Sequence, residues 1–229
     1  MVLGRTPLDV AIGLMEATPE PGFLECLREE TAKAGSLLIF DEVITGFRVG
    51  LTGAQGLYGI DPDLTCLGKV IGGGFPVAAV GGKAIFMDSL APLGQVYQAG
   101  TLSGNPVALR AGLETLAHIE RPGFYELLEK KTARFVKPIE EVLKTTNIPV
   151  CLQRCGSMFT LFFGVRKVQR QVQRKELLDE ERFAHFFRAL FEQGIYIPPA
   201  SQEAWFISSA HTDEHLDYAS RTIVEYLRR

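Results

Sequence analysis

The hydrophobic residues of this chain fall into two rhythms that change place along its length. Leu37, Leu38, Ile39 and Phe40 form an unbroken apolar run ahead of Asp41 and Glu42. That run predicts a strand over 36–42, buried on both faces as in a parallel sheet. Before it, Pro21-Gly22 opens a helical pattern with Phe23, Leu24 and Leu27 on one face, and Gly35 is placed to cap its end. Helix followed by strand fits an α/β layer. Residues 43–105 are rich in glycine and carry few helix signals, which predicts a long ordered loop region of the kind that holds functional groups. Asn105-Pro106 then starts a helix with Leu109, Leu113 and Leu116 at i, i+4 and i+7.

The texture changes after Arg121-Pro122-Gly123. An amphipathic helix over about 124–145 leads into 150–164, where Met158, Thr160 and Phe162 alternate with Phe159, Leu161 and Phe163 as in a strand. A charged stretch over 166–182 reads as a solvated loop or helix face. Phe183, Phe186, Phe187, Leu190 and Phe191 then mark a helix stripe for core packing, ending at Gly194. Short strands are predicted at 195–197 and 204–209, and Thr212 or Asp213 caps a last helix carrying Leu216, Ala219, Ile223 and Leu227. A boundary near residue 122 follows. Residues 1–122 form a glycine-rich α/β catalytic layer, and residues 123–229 a smaller α+β domain of two or three helices on an antiparallel sheet.

Composition narrows the function classes. With 229 residues, 46% hydrophobic and 22% charged, the chain has the makeup of a soluble globular protein. A net charge of −3 gives no basic surface for nucleic acid or anionic membrane. No apolar run reaches the ~20 residues that span a bilayer, and the amino terminus lacks the apolar core of a signal peptide, so a cytoplasmic protein is expected. Cys26, Cys66, Cys151 and Cys155 form no Cys-x-x-Cys pair. Reduced, mostly buried thiols and no metal site are expected from them.

Three elements carry chemistry. Asp41 ends the apolar strand, where ligands gather in open α/β sheets; an aspartate there also serves as an ordinary turn or cap. Lys69 lies between Gly68 and the glycines at 72–74, in LGKVIGGGFP. A lysine between an apolar run and a glycine run is expected to be partly buried, which favours the nucleophilic amine; the bland alternative is a surface lysine in a loop. The order of a P-loop is absent. In AGTLSGNP (99–106), Gly100, Thr101, Ser103 and Gly104 precede a helix start, which suits a phosphate or, equally, a plain N-cap by Ser103 or Asn105. A carboxylate, a nucleophilic lysine and an anion site are together what pyridoxal phosphate requires.

DEVITGFR (41–48), GAQGLYGIDPDLTCLGKVIGGGFPVAAVGG (53–82) and YQAGTLSGNPVALRAGLETL (97–116) resemble the glutamate-1-semialdehyde 2,1-aminomutases, enzymes of the class-III aminotransferase kind. The resemblance continues through GSMFTLFF (156–163), the phenylalanine-rich helix and PPASQEAWFISSAHT (198–212). It implies a fold-type-I pyridoxal-phosphate-dependent transferase, here a partial large domain with a carboxy-terminal small domain. It implies that Lys69 links the cofactor and shuttles protons, that Asp41 pairs with the ring nitrogen, and that Val43 packs on one ring face. It implies that Gly100 and Thr101 reach the phosphate across a homodimer interface, and that Glu203 approaches the substrate. The cofactor would be pyridoxal 5'-phosphate or its pyridoxamine form, and the reaction an amino shift within glutamate 1-semialdehyde to give 5-aminolevulinate, a tetrapyrrole precursor. An aminotransferase acting on an amino acid or amine is the nearest alternative; TLSGNP and AWFISSAHT argue against it. A remnant that only associates with a homologous subunit is the other. Members of the family extend further at the amino end, where a phosphate loop and a ring-stacking aromatic are expected. The resemblance therefore implies a chain that is poorly soluble alone and weakly active or inactive.

Overall fold

The computed structural model describes residues 10–13, 18–168 and 178–229. Most of the charged stretch singled out above lies outside them. The chain divides into two compact units, one of Pro19–Pro122 together with strand β1, the other of Gly123–Arg229.

The first unit is built on a four-stranded sheet in the order β1-β2-β3-β4, with β1 Val10–Gly13, β2 Leu38–Glu42, β3 Leu64–Leu67 and β4 Ala79–Gly82. The first three strands are parallel and β4 runs antiparallel to β3. Helix α1, Phe23–Ala34, leads into β2, and Gly35 closes it with φ 64°, the left-handed geometry that a C-terminal glycine adopts without a Cβ penalty. The short helix α2, Gly53–Tyr58, leads toward β3. Leu38 and Phe40 are buried with Leu24 and Ile60, whereas Ile39 is half-buried and Asp41 exposed. The strand expected to be buried on both faces thus buries one. Its even-numbered side chains enter the core beside Leu24, and its odd-numbered ones line an open face.

Asp63 ties this unit together. Its carboxylate accepts hydrogen bonds from Arg28 Nη1 (3.0 Å), Lys83 Nζ (2.8 Å) and the Leu38 N–H (2.8 Å). Burial alone would push the carboxyl up, but the bonds from Lys83, Leu38 and Arg28 outweigh it and hold Asp63 below the ordinary carboxylate value. A carboxyl whose folded value is depressed stabilises the fold above its unfolded value, and that stability is lost as pH falls through the folded value. Asp63→Asn is therefore expected to lower the denaturation midpoint at pH 7 and to flatten its decline on acidification. Urea titrations between neutral and acid pH check this; parallel curves for parent and variant would refute it.

After β4 comes the short helix α3, Ala84–Met87, and then α4, Pro106–Ile119. The Asn105 side chain caps α4 by accepting from the Val107 and Ala108 N–H groups, both at 3.1 Å. Ala108, Gly112 and Ile119 are its buried positions, while Leu109 and Leu113 are 46% and 63% exposed. The leucines at 109 and 113, whose spacing marked the helix, face outward. The face that packs is the small-residue one, because the backbone it meets comes too close for larger side chains. A Cβ on Gly112 would lie 2.3 Å from the Ile71 carbonyl oxygen.

The second unit packs α5 (Phe124–Leu143), α6 (Glu180–Glu192) and α7 (Asp213–Leu227) with an antiparallel sheet β5-β6-β7. The strand read from the alternation at 158–163 is β6 Met158–Phe163, which forms a hairpin with β5 Val150–Cys155, and β7 is Trp205–Phe206. Residues 195–197 form no strand. Every position of β6 is buried, and Phe163 and Phe183 pack around Phe186 in the core. Thr212 caps α7 in a reciprocal arrangement with His215. The four cysteines are free, but only Cys151 is buried and Cys26 is exposed, so mostly buried thiols overstated the case. Among the described residues no helix is long and apolar enough to cross a membrane, and no cluster of side chains could hold a metal ion.

Candidate active site

The carboxyl ends of β2 and β3 bring three of the sequence-predicted residues together. In the parallel register Asp41 lies beside Cys66 and Glu42 beside Leu67. Directly paired residues on adjacent strands point to the same face. The Asp41 charge acts on Cys66 accordingly: burial first, then that carboxylate, pushes the Cys66 thiol up. Three residues beyond Cys66, an extended reach of at most about 10 Å, the chain places Lys69. Lys69 opens a 3-10 turn, Lys69–Gly72, with φ 47°, one of two non-glycine residues with positive φ among those described. Such a backbone is uncommon for a residue with a Cβ and persists where surrounding structure enforces it, often at functional sites.

The enforcing contacts are visible. Ile71 and Gly72 are buried in the turn, and a Cβ on Gly73 would stand 2.5 Å from the Ala111 carbonyl oxygen of α4. The glycine run therefore seats the turn against α4 rather than covering the lysine. Lys69 itself is exposed, against the expectation of partial burial. Val43 comes down on the other flank: a Cβ on Gly68 would lie 3.2 Å from Val43 Cγ1. The Val43 N–H donates to Asp41 Oδ1 at 3.1 Å. Acid, apolar wall and amine thus share one end of two neighbouring strands.

Gly100 and Thr101 lie in an exposed turn that runs into α4. That turn is tight: a Cβ on Gly100 would lie 2.8 Å from Ser103 Oγ. The cap role weighed for this segment belongs to Asn105, which leaves the Gly100 and Thr101 backbone and the Thr101 hydroxyl outside the cap.

Glu203 belongs to the second unit. It is exposed at the rim of a cavity of about 730 Å³ whose floor includes Phe159 and Trp205, with Tyr196, His211 and His215 also lining it. Burial, then the charges of His215 and Lys131, lowers the His211 imidazole value, and its Nδ1 accepts the Ser208 N–H at 3.0 Å. Both effects favour the neutral imidazole. Sequence reasoning gave no role to this histidine or to Glu42, whose buried carboxylate sits beside the aspartate. A glutamate at the end of an apolar run, followed closely by glycines and threonine, was the signal available for Glu42.

The class-III aminotransferase family matches this chain over residues 12–224, and the chain belongs to that family. Within the family it is 53% identical over 221 residues to the glutamate-1-semialdehyde 2,1-aminomutase of Protochlamydia amoebophila, an alignment covering 96% of this chain and 50% of that one. Its fold is similar to that of an omega-transaminase from Sphaerobacter thermophilus, at TM-score 0.79 and 30% identity, covering 91% of this chain and 48% of the other. A beta-phenylalanine aminotransferase from Variovorax paradoxus matches at TM-score 0.82 and 28% identity, covering 94% of this chain and 51% of its own. The chain spans about half the length of the curated relatives it matches.

Proposed function

We propose that this chain is part of an enzyme that uses pyridoxal 5'-phosphate or pyridoxamine 5'-phosphate to move an amino group within glutamate 1-semialdehyde, giving 5-aminolevulinate. The observation that supports this reading is Lys69, held in a left-handed backbone three residues past Cys66, the strand partner of Asp41. The residue types present fit such a cofactor: an exposed lysine follows the end of β3, an exposed aspartate stands at the end of the neighbouring β2, and Val43 packs over Gly68 between them in sequence. When bound, the group supplies an electrophilic carbon and an electron-withdrawing ring.

Lys69 Nζ would hold the cofactor covalently and, once released, serve as general base and acid in the 1,3-proton transfers. Asp41 would accept a hydrogen bond from the protonated ring nitrogen and so keep it protonated. Val43 would cover one ring face and exclude water from it. The Gly100 N–H and the Thr101 hydroxyl would bind the phosphate of a partner subunit in a homodimer. Glu203 would face the substrate. The 53% identity to an aminomutase supports the intramolecular reaction over transfer to a second acceptor. A cytoplasmic location belongs to the same reading.

The test supplies the chain and its cofactor with glutamate 1-semialdehyde and no keto acid. From this chain alone only weak formation of 5-aminolevulinate, or none, is expected, and whatever forms should not depend on a keto acid. Turnover that begins only when a second keto acid is added would overturn the aminomutase reading in favour of an ordinary aminotransferase.

A further inference from the structure

Glu42 is the one buried carboxylate beside the site that the proposed function leaves unused. Its side chain is 1% exposed and points to the face of β2 opposite Asp41. One oxygen accepts from Thr45 Oγ1 (2.6 Å) and the Ala54 N–H (2.7 Å), and the other from the Gln55 N–H (2.8 Å). The Glu42 carbonyl also accepts the Gly46 N–H at 2.8 Å. Gly53 closes in with φ 61°, and a Cβ there would fall 2.4 Å from Glu42 Oε2. The end of β2, the turn after it and the start of α2 therefore meet on a single carboxylate. A buried charge is retained only where donors replace its water, and here three do.

We infer that Glu42 is a positioning residue for Asp41 and Val43, and through them for the cofactor; the inference rests on the proposed function. Successive strand residues alternate between faces, so fixing Glu42, the last residue of β2, fixes the aim of Asp41 before it and the start of the turn that carries Val43. The Val43 N–H bond to Asp41 Oδ1 exists only while the turn keeps its course. Glu42→Gln keeps the size of the side chain but places an amide NH2 against backbone donors, so at least one donor loses its acceptor. The turn loosens, and the acid and the apolar wall lose their fixed spacing.

The experiment uses the full chain with Glu42→Gln and, separately, Thr45→Val, which removes one of the three donors. Three quantities are read: amide exchange at residues 43–46 without cofactor, the cofactor dissociation constant, and the wavelength of the visible band of the lysine-linked cofactor. Glu42→Gln is expected to speed the exchange, weaken cofactor binding about tenfold and shift the band; a small misplacement at such a site is known to be costly. Thr45→Val moves the same three readings less far. A purely structural glutamate would lower the melting temperature of both variants and leave affinity and band at parent values, and that result overturns the inference. If Glu42→Gln does not fold, the affinity and band of Thr45→Val decide the matter. A parent chain with no lysine-linked band sinks the proposed function instead; the exchange rates then still show whether Glu42 holds residues 43–46, and unchanged rates overturn the inference.

Discussion

Lys69→Ala is expected to abolish the visible band of the lysine-linked cofactor and to reduce turnover by roughly 10²–10⁴-fold, the usual contribution of a positioned proton carrier. Borohydride reduction of the parent should add the cofactor's mass to the peptide containing residue 69, and the variant should gain none. The backbone makes this a clean experiment. Position 69 has φ 47°, and alanine bears that geometry much as lysine does, so the turn and its seat on α4 remain. Lys69→Arg keeps the charge and much of the length, yet it should be as inert as alanine, because a guanidinium does not give up its proton to become a nucleophile. A Lys69→Ala protein that still took up the label on reduction would mean that another amine holds the cofactor.

The largest effect on stability is expected at Phe186. It is fully buried in α6, with ring centroids 5.0 Å from both Phe163 and Tyr226 and 6.1 Å from Trp205. Truncation to alanine removes a whole ring from a site walled by α6, α7 and β6, which cannot collapse without shifting several elements. Phe186→Ala should cost about 3–5 kcal/mol. Trp205 is the sole tryptophan of the 229 residues, so its fluorescence reports on this unit without added labels. The control is Phe191→Ala on the same helix: Phe191 is 58% exposed, and its loss should cost far less. Equal denaturation midpoints for the two variants would show that the core is not centred where the structure puts it.

Much of this architecture could be read from the sequence because local signals agreed with tertiary packing. Asn105-Pro106 marked the start of α4, Gly35 the end of α1, and Thr212 the cap of α7, each through a mechanism internal to a few residues. The phenylalanine spacing of α6 predicted a core helix, and Phe183, Phe186 and Leu190 are buried there. The misreadings share a different cause. The Leu109–Leu113 spacing marked a helix but not its packed face, which depends on how near a neighbouring backbone approaches, and Gly73 brings that neighbour to the alanine–glycine side. The run ending at Asp41 predicts two covered faces, yet coverage is a property of distant elements. Lys69 was expected to be sheltered by glycines that instead turn away to meet α4. At the site, residue types and order were legible, while the geometry joining Asp41 to Lys69 came from strand register, which one sequence does not encode locally. Glu42 went unnoticed for the same reason, since its three donors lie up to 13 residues away.

The contact between the lysine turn and α4 has a mechanical corollary. Gly73 meets the Ala111 carbonyl and Gly112 meets the Ile71 carbonyl at separations that leave no room for a methyl group. Two backbones meshed so closely cannot slide past one another, so the turn and the helix move as a single lever. At one end of that lever is the amine of residue 69, and at the other the exposed loop of Gly100 and Thr101. A methyl group added at residue 73 or 112 would therefore have to part the turn from the helix.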